Sequence, residues 1–161
     1  MSVGQFLCGI AALVYHPATQ TYLLLRRAAD RDAGGGEWEC VTGRVDQGEG
    51  FEEALHREVR EELGIAVDLD FIVGTSHFYR GTPSPENELL GVTYSCTLDD
   101  PGAIRVSAEH SEHRWLTADG VFALLPPGHW IHRSVRRAEL TRTALPATLI
   151  AMHRRAGFEH G

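Results

Sequence analysis

The feature that most restricts what this chain can become is a run of good helix formers, Phe51–Leu63, free of proline and glycine and followed by Gly64 as a stop. Ahead of it, residues 42–50 hold three glycines and read as a loop. The charged residues of this unit keep a fixed register. Glu49 lies six positions after Gly43, seven residues intervene before Arg57-Glu58, and Val59, Glu61-Glu62 and Gly64-Ile65 complete the run. At 100° per residue, Glu58, Glu61 and Glu62 fall within an arc of roughly 100°, while Leu55, Val59 and Leu63 form the adjoining stripe that can face a core. Glu58 and Glu62 are an i,i+4 like-charge pair, which costs an isolated helix roughly a few tenths of a kcal/mol and which a divalent cation would turn into attraction. Oxygen-only ligands suit Mg2+ or Mn2+ better than zinc. A glutamate cluster alone usually means a solvated helix face; the register with Gly43, Glu49 and Gly64 tips the balance to a metal site. Gly43 is expected to let the loop turn tightly, and Gly64 to take a left-handed conformation.

The rest of the chain supplies a sheet and more helices. Residues 6–15 and 22–26 are β-rich runs separated by the turn-like 16–19, and 31–36 is a polar, glycine-rich loop. Strands are expected at 38–41, 67–79 and 89–98, with a short one at 113–116; the loop 81–88 carries two prolines. Thr117 can cap a helix running to Leu125 and stopped by Pro126-Pro127. From Trp130 the chain reads as helical, with a break near Pro146. The expectation is one α/β domain of α+β type over residues 1–161, a mixed sheet with helices around it and a helical tail from about 130.

Acidic residues outnumber basic ones 22 to 15, for a formal charge of −7. Such a surface repels polyphosphate, so a phosphate-handling site needs bound cations and well-placed arginines, and nonspecific binding to nucleic acid is disfavoured. Cys8, Cys40 and Cys96 form no CxxC pair and read as reduced thiols of a cytoplasmic protein. The apolar stretch 6–15 is short and has no basic segment before it, so it reads as a strand, neither a signal peptide nor a membrane span.

The run 43–65 fits G-x5-E-x7-R-E-U-x-E-E-x-G-U, with U aliphatic, and so resembles the Nudix box at every specified position. Chance agreement is on the order of one in a billion per starting position. The resemblance implies an α/β/α sandwich in which the box forms a loop-helix-loop. It also implies a pyrophosphohydrolase that uses Mg2+ or Mn2+ to cut a diphosphate bond in a small nucleoside-diphosphate-linked or nucleoside-triphosphate-type substrate. Carried over, Glu58 and Glu62 are direct metal ligands, with Glu61 ligating or just behind them. Arg57 orients Glu58, Glu49 orders the loop or binds a water on the metal, and Glu58 is a candidate general base. A further acidic ligand would come from the segment 108–116, where Glu109 is favoured over Glu112 by its Glu-His pair. Where many relatives have Pro-Gly-Gly, this chain has Val41-Thr42-Gly43, and the Thr42 carbonyl can still supply a ligand. Trp38-Glu39-Cys40-Val41-Thr42-Gly43 is similar to the W-x-x-V-T-G of dihydroneopterin triphosphate pyrophosphatases, which adds a pterin or purine triphosphate to the expected substrates.

Relatives place a basic residue near the substrate phosphates, a role that falls here to Arg26 or Arg27, with Arg44 as a further choice. Trp38, Phe78 and Tyr79 could stack on a base or pack in the core. The nine histidines show no metal-ligand spacing. Arg133, Arg136, Arg137, Arg154 and Arg155 read as a solvated helix face, with a homodimer interface or a substrate rim as alternatives. Against the enzyme stand a nucleotide-binding module of the same fold, which would be expected to have lost box carboxylates, and an isopentenyl diphosphate isomerase-like activity, which needs additional histidines and a positioned cysteine.

Overall fold

The computed structural model describes residues 4–30 and 34–160. Its centre is β1 (Leu7–His16), whose apolar residues do not alternate with polar ones because both faces of the strand are covered. Ile10, Ala12 and Val14 enter one core cluster, while Ala11, Leu13 and Tyr15 enter a second on the opposite face. β2 (Thr21–Arg27) divides in the same way, Leu23 and Leu25 facing the first cluster, Tyr22 and Leu24 the second.

Around these run β3 (Trp38–Glu39), β4 (Val41–Arg44), β5 (Asp68–Tyr79), β6 (Glu88–Thr97) and β7 (His110–Leu116). The sheet order is β3-β2-β1-β6-β5, with β4 also paired to β1 and β7 to β2. β1 and β6 are parallel and the other pairs antiparallel, so the sheet is mixed as expected. Helix α1 (Phe51–Leu63) covers the first face with Ala54, Leu55, Val59 and Leu63, all fully buried; burial of each larger side chain is worth about 1.5–3 kcal/mol. α2 (Ala118–Leu124) and α3 (Trp130–Ala144) cover the second with Val121, Ile131, Val135 and Ala138. The three layers are the expected α/β/α sandwich.

The sequence boundaries need three corrections. The expected strand 38–41 is two strands that part at Cys40, one pairing with β2 and the other with β1. The expected loop 42–50 begins only after Arg44, because 42–44 continue β4. β7 starts at His110 rather than 113, since β2 offers it partners as far as Arg27. Residues 31–33 of the expected glycine-rich loop lie outside the described residues. The tail matches its reading, with α4 (Ala147–Ala156) restarting behind Pro146. Cys40 and Cys96 are buried free thiols and Cys8 is partly exposed. No helix among the described residues is long and apolar enough to cross a membrane.

Two polar connections tie the tail to the domain. Asp70, fully buried in β5, accepts hydrogen bonds from Thr97 Oγ1 at 2.6 Å, Arg142 Nη1 at 3.2 Å and Arg154 Nη2 at 2.7 Å. Beyond α4, the Glu159 carboxylate accepts from the backbone N–H groups of Phe51 and Glu52 at 2.8 and 3.0 Å. In return, Glu52 Oε1 accepts from the N–H groups of Phe158 and Glu159. Gly50, the N-cap of α1, has no side chain to serve these donors, so the tail caps the helix instead.

Candidate active site

The site is built where α1 crosses β4. Gly43 does not have positive φ, so it is not the tight-turn glycine expected from its place ahead of the helix. Its role is space: a β-carbon there would collide with the Glu58 side chain, which lies across the strand. Gly64 does take the left-handed conformation, with φ 68°, and its N–H bonds to the Arg60 carbonyl to close α1.

Arg57 organises the solvent side of the helix. Its Nε and Nη2 donate to Glu49 Oε1 and Oε2 at 2.8 and 2.9 Å, Nη1 donates to Glu58 Oε1 at 2.7 Å, and Nη2 also reaches the Arg44 carbonyl at 2.8 Å. Glu49 further accepts from the Asp46 N–H at 3.0 Å. These bonds hold the Glu49 carboxyl down to about 2. One guanidinium thus joins the loop to α1 and fixes one oxygen of Glu58. Glu61 Oε2 sits 3.6 Å from Arg57, and Glu61 is largely exposed.

Glu62 is different. It is only 8% exposed, and its Oε2 is buried with no hydrogen-bond partner. Burial first, then the charges of Glu39, Glu58 and Glu109, push its carboxyl up to about 9, with Arg27 opposing them. Burial also raises Glu58, although Arg57 pulls the other way. Three carboxylates, those of Glu39, Glu58 and Glu62, therefore share a partly dry pocket, with the exposed Glu109 adding its charge from outside. The deficit is of positive charge, and a hard divalent cation would relieve it. Without that charge the carboxylates repel one another, and no three metal-binding side chains among the described residues are already arranged around one point. The residues nevertheless fit such an ion: an orphaned buried carboxylate oxygen, all-oxygen donors, and a glycine that leaves room for one of them.

Two members of this pocket escaped the sequence reading. Glu39 accepts from Arg27 Nη1 at 3.1 Å, from Thr42 Oγ1 at 3.3 Å and lies 2.9 Å from His110 Nε2. His110, whose side chain is 1% exposed, also lies 3.9 Å from Glu62 Oε2. The signal was there for both: a glutamate inside an otherwise apolar strand, and the histidine of the Glu-His pair quoted for its neighbour.

A cleft of about 930 Å³ opens beside this pocket, lined at the near end by Glu39, Thr42 and Gly43. Arg27 and Arg44 line it, but Arg26 and Trp38 do not. Successive strand residues point to opposite faces, so Arg26 turns away from Arg27, donating to the Gly36 carbonyl at 3.1 Å and lying 3.6 Å from Glu112. Trp38 packs against the second core cluster beneath the Arg114 guanidinium, 4.9 Å from its ring centre. Phe78 lines the cleft and Tyr79 does not. Glu112 pairs with Arg114 at 2.6 Å, and Glu109, favoured over it as a ligand, is the one that bears on Glu62.

A family model for the NUDIX domain matches residues 7–138. A nucleoside triphosphatase NudI of Escherichia coli is 30% identical over 102 residues, which cover 59% of this chain and 72% of that protein. The chain spans much less of other curated relatives; an octanoyltransferase of Myxococcus xanthus is 29% identical over 72% of this chain but only 31% of its own length. Among solved structures, a MutT protein from Methanosarcina mazei has a TM-score of 0.71 at 21% identity, covering 88% of this chain and 99% of that one. The E. coli dihydroneopterin triphosphate pyrophosphohydrolase has a TM-score of 0.66 at 25% identity, covering 87% and 99%.

Proposed function

The chain belongs to the NUDIX domain family of hydrolases, and on that premise we propose that it cuts a diphosphate bond in a nucleoside-triphosphate-type substrate with the help of Mg2+ or Mn2+. The observation that carries this reading is the buried Glu62 carboxylate, its Oε2 unpartnered amid Glu39, Glu58 and Glu109, beside a cleft lined by Arg27 and Arg44. Two relatives whose names specify a triphosphate, NudI and the dihydroneopterin triphosphate pyrophosphohydrolase, support the choice of substrate class.

Glu58 and Glu62 would hold the cation, with Glu109, the Thr42 carbonyl and, from the solvent side, Glu61 completing its oxygen set; Glu39 adds negative charge behind them. When bound, the cation supplies positive charge against the diphosphate and makes water more acidic. Glu58 is both a ligand and the candidate base. Arg57 takes its Oε1, which leaves Oε2 either to hold the cation or to accept a proton from the attacking water. Arg44 offsets charge on the phosphates, while Arg27, bonded to Glu39, moderates the acidic pocket.

The test is phosphate release from nucleoside triphosphates and dihydroneopterin triphosphate with Mg2+ or Mn2+, with and without inorganic pyrophosphatase. Wild type should yield a monophosphate and pyrophosphate, and Glu62→Gln should lose turnover while keeping its fold. Full activity in Glu62→Gln would show that the metal site is misassigned. Tight nucleotide binding without any product would favour the non-catalytic module.

A further inference from the structure

The far wall of the cleft is formed by α3, and its composition is at odds with a chain of net charge −7. Trp130, Arg133, Ser134 and Arg137 all line the cleft, and their i, i+3, i+4, i+7 spacing makes them one face of the helix. Neither arginine has a carboxylate partner among the described residues, although ion pairs engage Arg26, Arg27, Arg57, Arg114, Arg142 and Arg154. The opposite wall is adapted to one of them. Gly74 stands in mid-strand, where glycine is unfavourable, next to a register shift in β5, and the space its missing side chain leaves is taken by Arg137: a β-carbon there would lie 2.6 Å from Nη1. Two exposed aromatic rings, Trp130 and Phe78, also line the cleft.

The register of the sheet gives the distance from the catalytic end. Thr42 pairs with Ala11, Ala11 with Thr93, and Thr93 with Gly74, so the four form one transverse row. Three interstrand steps of about 4.8 Å place Gly74 on the order of 14 Å from Thr42. That is too far for Arg137 to share the phosphates held beside Thr42, and it suits the other end of a nucleoside. A guanidinium donates hydrogen bonds and accepts none, so its two-pronged pairing needs two adjacent acceptors, a carbonyl beside a ring nitrogen, and an exocyclic amino group in place of the carbonyl leaves one prong unmet. We infer that the α3 face formed by Trp130, Arg133 and Arg137 is the base-reading wall of the cleft, selecting a planar heterocycle with a carbonyl beside a ring-nitrogen acceptor (guanine- or pterin-type) over adenine, where an amino group takes the carbonyl's place. The assignment rests on the nucleotide reading of the same cleft. Arg137, seated over Gly74, donates to the oxo edge, Arg133 supports it one turn away, and Trp130 and Phe78 stack on the ring.

Equilibrium binding of nucleoside monophosphates, without metal or turnover, tests this separately from catalysis. Wild type should bind GMP over AMP by about tenfold or more. Arg137→Gln should bring the ratio to one or below, and Gly74→Ala, which displaces the guanidinium without removing it, should move it the same way. Arg136→Gln is the control, because Arg136 lies over Phe122 and does not line the cleft; it should leave the ratio unchanged. Equal binding of GMP and AMP by wild type, or a preference for GMP that survives Arg137→Gln, overturns the inference. A base preference that persists in a protein hydrolysing no triphosphate would instead sink the catalytic reading and leave this one standing.

Discussion

Gly43 and Glu58 occupy space that would otherwise be contested: the glutamate side chain lies where a β-carbon of residue 43 would project. The box glycine and the box glutamate that follows Arg57 are therefore one steric unit, although they are far apart along the chain and sit on different elements, β4 and α1.

Gly43→Ala should consequently act on chemistry as well as on stability. The methyl group must push Glu58 off Arg57, and misplacing a reacting carboxylate by about 1 Å costs on the order of 100-fold in rate. Overpacking should remove about 1–3 kcal/mol of stability. Steady-state kinetics at saturating substrate, alongside thermal melting, separate these effects. A kcat within twofold of wild type would mean that Glu58 does not need its place over Gly43.

The sequence and the structure part company in an instructive way around this unit. The helix, its stripe and its glutamates were legible because helical periodicity and a fixed register are local properties. The tail helices were legible from Pro146 for the same reason. The carboxylate pocket was only half legible: Glu39 and His110 reach it from β3 and β7, and which strand residues face one another depends on pairing with β2, a long-range choice. Arg26 and Arg27 show the limit most plainly. Adjacent in sequence and alike in chemistry, they are separated by strand alternation, which sends one to Glu112 and the other to Glu39.

The tail should matter to α1. Glu159 serves two of the helix's orphan N–H groups and places a carboxylate at the positive end of its dipole. Glu159→Ala should lower stability by about 0.5–2 kcal/mol, the usual cost of losing an N-cap. Glu159→Gln should lose less, since its amide oxygen can still accept. Urea denaturation of both variants measures this, and indistinguishable midpoints for wild type and Glu159→Ala would show that the clasp contributes nothing in solution.

Asp70 carries a larger penalty. It is fully buried, and Arg142 and Arg154 both point their charge at it. Removing the acid from a buried ion pair leaves the partner uncompensated and typically costs about 3–5 kcal/mol. Asp70→Ala should fall in that range, with Asp70→Asn less severe because the side chain keeps its shape and an acceptor. Chemical denaturation should find Asp70→Ala among the least stable single variants, and a loss under about 1 kcal/mol would refute the role given to the network.

Glu62 makes the stability of the metal-free protein depend on pH in a direction opposite to that of most carboxylates. Its folded carboxyl is raised to about 9 from an ordinary 4.5, so between those values the native state keeps a proton that the unfolded chain releases. The resulting contribution is complete below about 4.5 and is lost as pH rises towards 9. Metal-free wild type should therefore lose more stability than Glu62→Gln between about pH 6 and pH 8. Binding of Mn2+ must expel the same proton, so the ion should stabilise wild type more at the higher pH and do much less for Glu62→Gln. Parallel pH profiles for the two metal-free proteins would mean that Glu62 is already ionised in the folded state and that the pocket holds positive charge from its own side chains.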